Sequence, residues 1–225
     1  MQPRSAEERR DALVELYREV SGCARCPLHT GRTKVVFGAG NADADLMFVG
    51  EAPGQQEDLQ GLPFVGRAGK LLDQLLQEVG LERSDVFITN VLKSRPPGNR
   101  DPQPEEIDAC KPYLHRQVEL IEPKVICTLG NFATKLLTRS QRGITSVHGR
   151  PQVHELGGRA VRVFPIYHPA AALRSTKTLE ELREDFRRLP ALLEEPPPVP
   201  IGAVMPLATV AAAAEPEPPQ TNLFD

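Results

Sequence analysis

The sequence predicts an α/β fold, a three-layer sandwich around a four-stranded parallel central sheet. Two observations carry this. Short apolar runs rich in β-branched and aromatic residues, at 46–49, 86–92, 125–129 and 161–166, read as buried strands. Stretches with apolar residues at helical spacing separate them, and strands alternating with helices imply parallel pairing with both faces covered. Right-handed crossovers then bring the loops after the strands to one edge.

The elements follow in order. Residues 6–20 place Leu13, Leu16, Tyr17 and Val20 on one helical face. Next comes Gly22-Cys23-Ala24-Arg25-Cys26-Pro27-Leu28, a C-x-x-C pair whose sulfurs converge when the chain turns between them, as a metal or cluster requires. The pair follows a helix and meets Pro27, which argues against a thioredoxin-like role. Strand 46–49 ends at Gly50-Glu51-Ala52-Pro53-Gly54, a sharp turn made of two glycines and a proline. In open α/β sheets such a post-strand loop binds ligands. A second turn, Gly61 to Gly66, holds Phe64 where an aromatic ring has no obvious core to fill.

Leu71, Leu72, Leu75, Leu76 and Val79 mark a helix closed by Gly80. Strand 86–92 runs into a basic loop, 93–102, whose prolines exclude helix. Pro104 and first-turn acids open a helix that reaches about Ile121. Strand 125–129, a helix over 131–138, a weakly patterned stretch at 143–160 with room for a hairpin, and strand 161–166 come next. A loop carrying His168 leads to a last helix over 178–194. From 195 the chain is rich in proline and alanine and reads as a disordered tail. The organisation is therefore a folded domain, 1–194, and a tail, 195–225. Glu51, Asn90 and His168 each lie at a post-strand loop, Asn90 as the end of its strand.

Composition bounds the function. A net charge of −3 over 225 residues is not that of a general nucleic-acid binder, although a local basic face suffices for DNA. No stretch approaches the roughly 20 apolar residues of a membrane span, and the N-terminus is charged and helical in pattern, unlike a signal peptide. The expectation is a cytoplasmic monomer with no membrane partner. Four cysteines in such a chain point to metal or packing before disulfides.

CxxCPL, GEAPGQQED, GLPFVGRAG, ITNVLKSRPPGNRDP and YHPAAALR, in that order, resemble the motifs of the family 4 uracil-DNA glycosylases, the iron–sulfur group of that superfamily. The resemblance covers about residues 12–193. It implies hydrolysis of the N-glycosidic bond between uracil and deoxyribose, the first step of base-excision repair, on nucleoid-associated bacterial DNA. The enzyme is expected to be monofunctional, because no lysine sits among the pocket residues to form a Schiff base. The implied alternative is a non-catalytic metal-containing nucleic-acid-binding module of the same fold.

The resemblance also implies roles. Glu51 positions or activates water, and His168 donates a hydrogen bond to uracil O2 as charge develops there. Asn90 reads the O4/N3 edge of uracil. Phe64 stacks on the flipped base, and Glu57 stands beside C5 to exclude the methyl of thymine. Gly50 and Ala52 complete the substrate site. Lys93, Arg95, Asn99 and Arg100 on the basic loop, with Arg174, contact DNA, and Leu173 is the apolar wedge, flanked only by alanines.

The family holds a [4Fe–4S] cluster with the C-x-x-C pair and two later cysteines. Cys23, Cys26 and Cys110 match. Ser94 occupies the position where the family has the remaining cysteine, and Cys127 falls where it has an apolar strand residue. The set expected here is Cys23, Cys26, Cys110 and Cys127, since a cluster normally takes four thiolates and the chain has four cysteines. The other reading leaves Cys127 as a small buried hydrophobe, with the cluster lost, held by three thiolates or completed by Ser94, and zinc would satisfy the same ligands. Finally, Gln220, Leu223 and Phe224 in the closing QTNLFD resemble the short peptide by which bacterial repair proteins dock on the sliding clamp.

Overall fold

The computed structural model describes residues 5–198. Ser5 Oγ accepts from the Glu8 N–H and the Glu8 carboxylate accepts from the Ser5 N–H. This reciprocal cap starts α1 (Ala6–Ser21) and contributes about 1 kcal/mol. A short 3-10 turn, Pro27–Thr30, follows the cysteine pair. The chain continues through β1 (Ala39–Gly40), β2 (Leu46–Gly50), α2 (Gln55–Gln60), α3 (Arg67–Glu78), β3 (Phe87–Asn90), α4 (Pro104–Ile121) and β4 (Val125–Leu129). Then come α5 (Asn131–Thr138), α6 (Ile144–Val147), β5 (Gln152–Leu156), β6 (Arg159–Ile166), α7 (Pro169–Ala172), α8 (Thr176–Arg187) and α9 (Leu189–Glu194).

Among the described residues the strands form one sheet in the order β1-β3-β2-β4-β6-β5. β3, β2, β4 and β6 pair in parallel, while β1 and β5 flank them antiparallel. The four-stranded parallel sheet expected from the sequence is thus the centre of a mixed, six-stranded one. β1 has two residues and no periodicity to read. β5 is polar and half-exposed, and it joins β6 through Gly157-Gly158, both at positive φ (59° and 76°), as a tight two-residue hairpin requires.

Successive side chains in a strand point to opposite faces. Leu46 and Phe48 therefore join Cys127 and Phe164 under α3, α8 and α9, while Met47 and Val49 join Ile126 and Val163 under α1, α4 and α5. The central strands are buried on both faces, which is why they read as unbroken apolar runs. The helix expected over 178–194 divides at Arg188. Pro190, the second residue of α9, supplies no N–H and its ring crowds the carbonyl of Phe186, which favours a break here, although α4 runs unbroken through Pro112. Beyond α9, Arg162 holds the Glu195 carboxylate at 2.8 Å and the Pro196 carbonyl at 3.2 Å. Gln220, Leu223 and Phe224 lie outside the described residues. No helix among those described is long and apolar enough to cross a membrane.

From β2 the chain crosses through α3 to β3 on one side, then through α4 to β4 on the other side of β2. The connections diverge at the C-terminal ends of β2 and β4, where open α/β sheets place their binding crevice.

Candidate active site

Gly50 ends β2 in register with Asn90, which ends β3. A Cβ on Gly50 would stand 2.4 Å from Asn90 Oδ1 and 2.7 Å from Phe64 Cζ, so a residue without a side chain lets the amide and the ring approach the same strand end. Asn90 is 2% exposed and its Oδ1 is buried with no hydrogen-bond partner. Leaving such an acceptor unsatisfied costs about 1–3 kcal/mol. At a cavity wall, such an acceptor is open to a donor from whatever enters the cavity, water or ligand.

Phe64 is held at a positive φ of 52° by contacts from two sides. The Arg83 guanidinium donates to the carbonyls of Pro63 and Phe64, the latter at 2.7 Å. Glu57 Oε1 accepts from the Val65 and Gly66 N–H groups at 3.0 and 2.9 Å. Glu57 is therefore a strap for the Phe64 turn as well as a cavity wall. Arg83 had no pattern to mark it in sequence, since it stands alone in a polar loop.

His168 caps α7. Its Nδ1 accepts from the Ala170 N–H at 3.1 Å. Burial pushes the imidazole pKa down to about 4, against a smaller upward pull from Glu57. The ring is therefore neutral near pH 7, with its proton on Nε2, since Nδ1 is accepting. Its ring centroid lies 5.7 Å from that of Phe64. Glu51, half-buried after β2, has a carboxyl pKa raised by burial and then by the charge of Asp101.

Glu51, Glu57, Phe64, Asn90 and His168 line one cavity of about 400 Å³, together with Ala52. A larger recess of about 610 Å³ shares Glu51 and His168 and continues past Gly130 and Lys135. The smaller cavity is the candidate site for a base, because it alone of the two joins the orphan acceptor and the aromatic face to the acid and the histidine.

The basic loop divides. Asn99 is exposed and accepts from Arg95 Nε at 2.7 Å, while Arg100 forks onto the Glu106 carboxylate at 2.6 and 3.0 Å. Asn99 and Arg100 both reach the rim of the small cavity. Leu173 (41% exposed) and the exposed Arg174 project from the end of α7. Lys93 does not belong with them. It is buried, and its Nζ donates to Thr89 Oγ1, Asn90 O and Gln117 Oε1 at 2.6–2.7 Å. Burial lowers its pKa to about 7. The expected DNA contact at Lys93 is corrected to an internal strut beneath Asn90.

The cysteines also divide. Cys23, Cys26 and Cys110 pack in the core layer of α1 and α4, and the charges of Cys23 and Cys26 both act on Cys110. Burial pushes the Cys26 and Cys110 thiols up, each opposed by a backbone hydrogen bond, from Leu28 and Lys93 respectively. Cys127 is fully buried between Phe48 and Phe164 on the opposite face of the sheet. The expectation that it joins the other three is corrected by strand parity: Ile126 points to their side, so Cys127 cannot. Among the described residues no three His, Cys, Asp or Glu side chains are close enough for a single metal ion. A multi-iron cluster spaces its thiolates more widely than one ion does. Cys23, Cys26 and Cys110 lie in one core layer, Cys26 and Cys110 each with a backbone donor, and soft thiolate ligands of this kind suit an iron–sulfur cluster, with one corner lacking a cysteine.

A family model described as the uracil DNA glycosylase superfamily matches residues 37–189. The chain is 48% identical over 191 residues to a type-4 uracil-DNA glycosylase of Sulfurisphaera tokodaii, covering 83% of this chain and 87% of that protein. It is 48% identical over 183 residues to one from Archaeoglobus fulgidus, covering 80% and 92%. A third, from Thermotoga maritima, is 45% identical over 192 residues, covering 83% and 97%.

Proposed function

Because the chain belongs to the uracil-DNA glycosylase superfamily, among its type-4 members, and removes uracil from DNA in repair, we propose that the 400 Å³ cavity receives the flipped base. The observation that carries this is the orphaned Asn90 Oδ1. Uracil offers N3–H to that oxygen and O4 to the amide N–H of the same side chain. Cytosine presents the reverse pattern at both positions. Extrusion of the base costs a few kcal/mol, which stacking on Phe64 offsets. Glu57, fixed by two backbone N–H groups, forms a wall that does not yield to the methyl of thymine.

The chemistry follows from the protonation states. Water adds to C1′ while the C1′–N1 bond breaks and the electron pair leaves with the uracil. Glu51, its pKa raised, is a stronger base than an ordinary carboxylate; it orients the water, accepts its proton, and opposes the positive charge growing on the sugar. Neutral His168 directs Nε2–H to uracil O2 as negative charge gathers there, a contribution on the order of 10²–10³ in rate. Arg95, Asn99, Arg100 and Arg174 would meet phosphates, and Leu173 would fill the space left in the duplex. A binding module without turnover is not favoured.

Cys23, Cys26 and Cys110 would hold a [4Fe–4S] cluster. Glycosidic hydrolysis exchanges no electrons, and the chemistry a bound cluster supplies is cross-linking of α1, the C-x-x-C segment and α4. Domain 1–194 carries the enzyme, and Gln220, Leu223 and Phe224 are proposed to dock on a sliding clamp. The reading is tested by incubating a uracil-containing oligonucleotide with wild type and with Asn90→Asp, followed by alkaline cleavage. Wild type should cut at uracil, and Asn90→Asp should lose most of that activity and gain measurable action on cytosine. Unchanged base choice in the variant would remove Asn90 from its role.

A further inference from the structure

We infer that the cluster is bound by three cysteines and the side-chain oxygen of Ser94, so that one of its irons is held less firmly than the others. This rests on the cluster reading above. The chain has four cysteines, and Cys127 is separated from the other three by the thickness of the sheet. The fourth corner is therefore not filled by a cysteine of this chain.

Tyr113 is hydrogen-bonded to Cys23 and to Arg25, so its oxygen is already engaged. Ser94 is different. It is 3% exposed, and its one hydrogen bond is a long contact of 3.4 Å from Arg32. Arg32 also acts on Cys26, and Lys93, the residue before Ser94, makes the backbone hydrogen bond to Cys110. Ser94 is thus joined to the trio through two neighbours, Arg32 toward Cys26 and Lys93 toward Cys110, and it is buried with bonding capacity to spare. To bind, its Oγ–H gives a proton to solvent and an Oγ–Fe bond forms. An alcohol releases that proton far less readily than a thiol does, so this corner is the labile one.

The position has a functional consequence. Ser94 lies four residues after Asn90 and directly before Arg95, and the segment it anchors supplies Pro96, Asn99 and Arg100 to the cavity rim. Filling that corner ties the DNA-facing loop to the cluster, and emptying it releases the loop.

The experiment measures iron per chain, and iron release to a ferrous chelator, for anaerobically purified wild type, Ser94→Ala, Ser94→Cys, Tyr113→Phe and Cys127→Ala. Wild type should release about one iron of four in a fast phase. Ser94→Cys should slow that phase about tenfold or more, and Ser94→Ala should hold about three irons. Tyr113→Phe and Cys127→Ala should match wild type. Ser94→Ala with wild-type iron and release, or iron loss in Cys127→Ala or Tyr113→Phe equal to that expected of Ser94→Ala, overturns the assignment to Ser94. Absence of iron from wild type and Ser94→Cys alike, after supply of ferrous iron and sulfide, overturns the cluster reading itself.

Discussion

The backbone N–H of Ala170 donates to Nδ1 of His168 at 3.1 Å, and this contact fixes which imidazole nitrogen can face the base. With Nδ1 accepting and the ring kept neutral to about pH 4, Nε2 is the donor over the working range. The acid limb of the rate profile then belongs to Glu51, whose pKa lies above the ordinary carboxylate value. Single-turnover excision should fall with acid as Glu51 takes a proton. His168→Ala should lower the whole profile by about 10²–10³ without moving that limb, and Glu51→Ala should abolish it. An acid limb that shifts in His168→Ala would mean the histidine titrates in the cycle. Folding carries its own signature: unfolded histidine takes a proton near 6.5 and the folded ring only near 4. The contribution of His168 to stability is therefore whole above pH 6.5 and lost as the pH falls through about 4.

Gly50→Ala tests the closeness of Asn90 and Phe64. The added methyl would lie 2.4 Å from one and 2.7 Å from the other, and both are held from behind, by the sheet and by Arg83. Uracil excision should drop by about two orders of magnitude or more, the loss of a bidentate base contact and a stacking partner. Circular dichroism should be unchanged. Near-normal excision would show that the pocket has slack that the packing does not suggest.

Glu57 separates a strap from a charge. Glu57→Gln retains an oxygen for the Val65 and Gly66 N–H groups, so KM should stay within about threefold of wild type, since the neutral bonds are only modestly weaker. Glu57→Ala removes both bonds. It should raise KM strongly and cost about 1–3 kcal/mol of stability in chemical denaturation. Equal KM values for the two variants would deny the strap.

Lys93 and Arg174 should respond oppositely. Lys93→Met leaves Thr89, Asn90 O and Gln117 without their shared donor. It should cost about 2–3 kcal/mol while leaving the salt dependence of DNA binding intact. Arg174→Ala should keep the melting temperature and reduce the slope of log K against log salt by about one. A reduced slope in Lys93→Met would return Lys93 to the DNA surface.

Clamp docking is measured with a peptide of residues 216–225 and its Leu223→Ala, Phe224→Ala double variant. The first should bind a bacterial sliding clamp and the second should not, because the two side chains supply the apolar anchor. Equal affinity, or none in either, removes the idea.

Much of the site was legible in the chain. Glu51 and His168 follow apolar runs that end at turn-forming residues, Asn90 lies within one and ends its strand, and local periodicity with turn chemistry is what a sequence records directly. The four central strands were legible for the same reason, and the edge strands less so: Ala39–Gly40 is too short for a period, and polar Gln152–Leu156 showed only as room for a hairpin. What the sequence could not decide was environment. Lys93 and Arg95 stand two residues apart in one basic loop, yet Gln117, 24 residues later on α4, draws the lysine inward and leaves the arginine partly exposed. Cys127 and Cys110 look alike as thiols, and only the packing of α4 on the Ile126 face puts a whole sheet between them. Burial is a property of what comes from elsewhere in the chain, so the tertiary structure alone determined which charged group meets solvent and which thiols can share a metal centre.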